Sequence, residues 1–239
     1  MLSLQSTELL TGVRISGDFW DLDELVTSLH HIVGDDNRYY DFQGARLRIL
    51  SVCHNIREAT KGERNIELVA NALNKGMMKK HQIIAPDKNI YYSVEIIWPE
   101  ILFIAIAIND FIRLHEEHFD NTGWNIHIAV SRQFQAKIAQ CLTEHLTQEQ
   151  YNAFWELMDT KRPTVFRYAT QFVDILNMEY LKLSKEEREE NLVAFLYKLI
   201  LEDEEYTEFR QQLLDTATQT KSPLHELELD VVYPDVIEW

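Results

Sequence analysis

The residues best suited to chemistry are His115, Glu116, Glu117, His118 and Asp120. His115 and His118 lie three apart, which sets both on one side of a helix. Two imidazoles and the Asp120 carboxylate form a donor set for a divalent metal, and a metal held there would activate water for hydrolysis. The plainer reading is helix-end chemistry, because histidines near a helix C-terminus complement its dipole. No His-Glu-x-x-His and no Cys-x-x-Cys is present. A di-iron site would need two Glu-x-x-His pairs, and the chain has none. Asp18, Asp21 and Asp23 lack the glycine and closing glutamate of a calcium loop. There is no phosphate loop, no dinucleotide fingerprint and no Gly-x-Ser-x-Gly elbow.

The two cysteines, Cys53 and Cys141, sit among apolar neighbours and read as buried thiols. Cys53 and His54 point about 100° apart on a helix, so they do not pair. Cys141 and His145 can touch, but Leu142 and Leu146 place that face near the core, whereas a reactive thiolate needs an exposed electropositive setting. Glu95 and Glu100 flank Trp98-Pro99 and could form a carboxylate pair with a raised pKa. More plainly, one is a strand-surface residue and the other sits in a helix first turn. Asn109 and Asp110 follow an apolar run and, with Arg113, are candidates to line a pocket. His30-His31 reads as the end of a helix. Tyr39, Tyr40, Trp124 and Trp239 fall in loops or at the chain end, where aromatic residues often anchor contacts.

Charge is uneven. The 239 residues carry a net −16, which disfavours general nucleic-acid binding. Residues 186–239 carry −11, whereas residues 46–88 carry +5. Arg46, Arg48, Arg57, Lys61 and Arg64 begin that basic stretch and form a candidate patch for an anion or a partner, while the acidic end could steer a basic partner. An internal pairing of acidic end with basic middle explains the same numbers. Apolar residues make up 46% and charged residues 26%, as in ordinary globular proteins. Low Gly (7) and Pro (5) argue against disorder and against a turn-rich sandwich. The N-terminus lacks a signal-peptide pattern, and the apolar run at 101–108 is too short to span a membrane, so a cytoplasmic protein is expected.

These residues need elements to position them. Residues 11–17 alternate between glycines and predict a strand. Asp18 or Asp21 then starts an amphipathic helix that Gly34 ends. A second helix is expected from about 43 to 60. Short strands are expected at 66–70 and 81–85, with the turn at 86–89 joining the latter to a strand at 90–97 as a hairpin. Pro99 and Glu100 open a buried central helix reaching about residue 119. Thr147 and Ser184 each head a capping box. Val165, Phe166, Ala169, Phe172, Val173 and Leu176 predict one helix face, and the acids at 202–205 kink or divide the last helix. Leu227, Leu229, Val231 and Tyr233 alternate with polar residues and predict a strand returning to the N-terminal sheet, within or between chains.

The expected fold is α+β and mostly helical: a small N-terminal mixed sheet with helices, then a helical block and the C-terminal strand. Its parts are 1–125, 126–220 and 221–239, or one domain throughout. Without a catalytic motif or cofactor signature, the leading expectation is a non-enzymatic interaction or regulatory protein, with a protein partner or self-association. The alternatives are a metal-assisted hydrolase using His115 and His118, and a small-molecule sensor with a pocket between the central helix and the helical block.

Overall fold

A computed structural model describes residues 1–36, 38–119, 124–161 and 163–239, without the side chains of 159–161. The fold is α+β. Its sheet holds β1 (Ser3–Ser6), β2 (Gly12–Gly17), β3 (Asn65–Ala70) and β4 (Lys88–Ile97) in the order β1-β2-β4-β3. Every pairing is antiparallel, so the sheet is not mixed as expected. β2 lies against β4 so closely at Gly12 that a Cβ there would sit 2.0 Å from the Ile96 carbonyl oxygen. β1 has no sequence signature, because four residues carry too little alternation.

Helix α1 (Phe19–Val33) starts as expected. The Asp18 side chain accepts from the Trp20 and Asp21 N–H groups, and Asp21 reciprocates to the Asp18 N–H. Helix α2 (Gln43–Thr60) follows, and α4 (Trp98–Phe119) leaves β4 directly and is buried along most of its length. Val13, Ile15, Val94 and Ile96 turn one sheet face inward, and all four are buried in the same hydrophobic cluster as residues of α1, α2 and α4. Helices α5 (Ile126–Thr143), α6 (Gln148–Lys161), α7 (Gln171–Leu181), α8 (Lys185–Ile200) and α9 (Glu204–Thr220) complete the described fold. Thr147 and Ser184 cap α6 and α8, and the acidic stretch divides α8 from α9 with Asp203 as the new cap. One hydrophobic cluster runs from Leu2 to Leu213. Among the described residues no helix is long and apolar enough to cross a membrane.

Three further expectations are corrected. Residues 81–85 are not a strand: Asn74 caps a short helix, α3 (Lys75–His81), and the hairpin pairs β3 with β4 around it. The face from Val165 to Leu176 is helical only from Gln171. Residues 163–170 are turns tied down by Asp110, whose Oδ2 accepts from Thr164 Oγ1 at 2.8 Å and the Val165 N–H at 2.7 Å. The C-terminal segment does not return to the sheet. Residues 227, 229, 231 and 233 are half-buried and their neighbours exposed, as the alternation requires, but no ladder forms. Instead the Gln171 amide donates to the Leu224 and Leu227 carbonyls, each at 2.7 Å, and Thr11 Oγ1 donates to the Glu238 carbonyl at 2.6 Å.

The turn between β1 and β2 is held from far along the chain. Leu10 sits in the left-handed region at φ 54°. Tyr180 donates to its carbonyl at 2.8 Å, and the buried Arg188 donates to the Leu9 carbonyl at 3.0 Å and to Thr11 Oγ1 at 2.7 Å.

Candidate interaction surface

β3 and the outer half of β4 project beyond the helices as a two-stranded arm with α3 at its far end. In this ladder Ile66 faces Tyr92 and Leu68 faces Ile90, so the four side chains share one face. Because residues alternate along β4, this face continues the one that carries Val94 and Ile96. The core face of the sheet thus runs outward past its helical cover. There Ile66 is 53% exposed, Leu68 62% and Ile90 51%. The opposite face is more polar, with Glu67, Asn89 and Glu95 beside Val69 and Tyr91, and Asn65 and Arg14 both donate to Glu95. Helix α3 buries none of its residues: its Met77 is exposed, as are Ile83 and Ile84 just after it. β3 is also an edge strand, with one row of backbone groups unpaired. Residues 65–92 carry Lys75, Lys79, Lys80 and Lys88 against Glu67 and Asp87, a net +2; the rest of the chain carries −18.

The sequence offered the alternation of these strands but no sign that a face would be left bare. A covered and an uncovered apolar face have the same period; only tertiary placement separates them.

The five bases of the candidate patch divide between two settings. Arg46 is buried and donates to the Gly34 carbonyl at 3.0 Å and to Asp36. Arg48 turns inward and bridges Glu100 at 2.7 Å and Asp174, with a third bond to the Thr170 carbonyl at 2.8 Å. Asn177 donates to Glu100 at 3.1 Å, and Tyr233 from the C-terminal segment donates to Asp174 at 2.9 Å. Burial pushes the Glu100 carboxyl up against the opposing pull of Arg48. Although burial disfavours its charge, Glu100 and Asp174 together hold the Arg48 guanidinium above its usual value. Arg57 is exposed, Lys61 pairs with Glu58 at 2.7 Å, and Arg64 reaches Asn55 at 3.4 Å. Glu95 and Glu100 line one cleft with Asn177 and Trp239, but Glu95 is paired to Arg14 and Glu100 to Arg48.

The other candidates are also placed. Asn109 lines an apolar groove between α4, α5, α6 and α8. Asp110 ties down the turns after α6, and Arg113 pairs with Asp110 at 3.3 Å and Glu117 at 3.1 Å at the surface. His115 is buried with both ring nitrogens unbonded, its ring 5.0 Å from that of His31 and 4.6 Å from Phe119. Burial first, then the charges of His31, Arg38, His127 and His118, hold His115 below the usual histidine range. His118 packs against Phe119 and Tyr39, and Asp120 lies outside the described residues. No group of three His, Cys, Asp or Glu among the described residues is placed to hold a metal. Both cysteines are buried and free, with Cys53 pushed up by burial to about 12 and Cys141 to about 11. His145 bonds Ser6 Oγ at 2.7 Å. Trp124 is fully open to solvent, whereas Tyr39 packs on Phe111.

Neither the curated proteins nor the solved structures contain a match to this chain. A family described as a domain of unknown function, DUF6904, matches residues 2–239. The match takes in the sheet, the arm, every described helix and the C-terminal segment, and the chain therefore belongs to the DUF6904 family.

Proposed function

We propose that this is a non-enzymatic interaction protein that uses its arm to dock onto a second copy of itself. The observation that carries the reading is the bare continuation of the core face at Ile66, Leu68 and Ile90. An amphipathic ribbon whose apolar face stays in water stabilises nothing in the monomer, and covering it is the source of association energy. Charge selects the occupant. A +2 arm on a −18 body fits the body of its own twin, and two such contacts close as a symmetric dimer. The reading needs no catalytic group, and the candidate carboxylates are already engaged with arginines.

Sedimentation velocity of the full chain tests it. A dimer is expected at tens of micromolar, weakened by high salt. The double variant Leu68→Lys, Ile90→Lys should sediment as a folded monomer. A monomeric wild type at that concentration, or a double variant that still dimerises, overturns the proposal.

A further inference from the structure

The groove that Asn109 lines is a separate feature, and none of its lining residues belongs to the sheet or the arm. It is an open groove that offers about 250 Å³ between α4, α5, α6 and α8, walled by Ile106, Ala139, Phe154, Trp155 and Leu196. One end of this apolar space is polar. There Arg132 Nη1 donates to Asn109 Oδ1 and to Gln135 Oε1, the latter at 3.0 Å. Gln135 is itself fixed by donating to the Ala105 carbonyl at 2.6 Å and to Asn109 at 3.0 Å. Every acceptor on Arg132 is thus a neutral amide oxygen. Among the described residues it forms no ion pair, and its Nε and Nη2 make no hydrogen bond. Two more deeply placed arginines, Arg46 and Arg48, each meet a carboxylate, whereas the buried Arg188 is held by main-chain carbonyls and the Thr11 hydroxyl. Glu116 acts on Arg132 electrostatically without reaching it, and desolvation holds the guanidinium below its usual value.

We infer that this groove binds an amphipathic monocarboxylate, with the carboxylate on the free Nε/Nη2 edge of Arg132 and an apolar chain between α4 and α6. The guanidinium fork matches a carboxylate in bidentate geometry. At roughly 30 Å³ per water-sized group, the space takes a chain of about eight carbons. Trp155 on the wall provides a reporter. The inference does not depend on the arm or on self-association.

Titration of the full chain with octanoate, followed by tryptophan fluorescence and thermal shift, is the test. Saturable binding at one site per chain is expected, with octanol bound about tenfold more weakly because it lacks the charge. Arg132→Gln, at an exposed position that keeps an amide for Asn109, should lose about tenfold in octanoate affinity and leave octanol unchanged. Ala139→Phe should fill the groove and abolish both. The inference is overturned by an absence of saturable binding, by equal affinity for octanoate and octanol, or by binding that survives both variants.

Discussion

The arm and the C-terminal segment are opposite answers to one problem. Both are extended chain with alternating apolar side chains. The arm has a full hydrogen-bonded ladder and no core beneath it: β3 pairs with β4 along its whole length, yet all six of its residues are exposed. The C-terminal segment has no ladder and a core beneath it: Leu227, Leu229 and Tyr233 pack on the helices, and Tyr233 joins the Arg48, Glu100 and Asp174 network. Backbone pairing and side-chain burial are therefore separable in this fold. Groups satisfied inside the monomer stabilise it; groups left bare are available for association.

That contrast can be broken by experiment. The largest effect is expected from Arg48→Ala, which leaves Glu100 and Asp174 partly buried without their cation and should cost about 3 kcal/mol. For a chain of this size the melting temperature would fall by roughly 6–12 °C. A change within about 0.5 kcal/mol would show that the network is not structural. Tyr233→Phe removes the hydroxyl that bonds Asp174 and Asn177 and should cost about 1 kcal/mol in urea unfolding. His115 gives a third setting, a polar group buried without a partner. Its folded pKa is depressed, so the unfolded chain takes up the proton first as pH falls below about 6.5. Stability is full above that pH and declines as pH drops toward the folded value; His115→Phe should flatten this acid limb in thermal melts. The smallest stability effect belongs to Leu68→Lys. At nanomolar concentration, where no dimer forms, it should change unfolding by less than about 0.5 kcal/mol. At high concentration it should abolish the dependence of melting temperature on protein concentration.

Local chemistry was legible in the sequence. Asp18, Thr147 and Ser184 cap the helices they were expected to cap, because a capping box closes within four residues. The central helix follows from Pro99 and the apolar run after it. Alternation at 227–233 was legible as one-sided burial and misled only as to pairing, since period two records which side is buried and not what supplies the backbone bonds. Residues 81–85 misled because β-branched isoleucines there suggested a strand, while Asn74 capping a lysine-rich turn upstream set the local path. The basic stretch allows both a surface patch and an internal pairing, because adjacency in sequence says nothing about direction. Arg48 turns inward to carboxylates that lie 52 and 126 residues away. The groove's polar end was half legible: Asn109 was marked, but Arg132 and Gln135 come from another helix.

The stapled turn at Leu9, Leu10 and Thr11 bears on how the protein is made. A left-handed leucine costs on the order of 1–2 kcal/mol and is kept only where its surroundings impose it. Those surroundings are Tyr180 and Arg188, 170 or more residues downstream. At 5–20 residues per second, a ribosome needs roughly 10–35 s to deliver them after the turn itself. Throughout that interval the β1–β2 hairpin is free to relax, with its edge exposed to whatever meets it. Synthesis of α7 and α8 therefore closes a hairpin made long before them, and chaperone occupancy of that hairpin is expected to end when α8 leaves the exit tunnel.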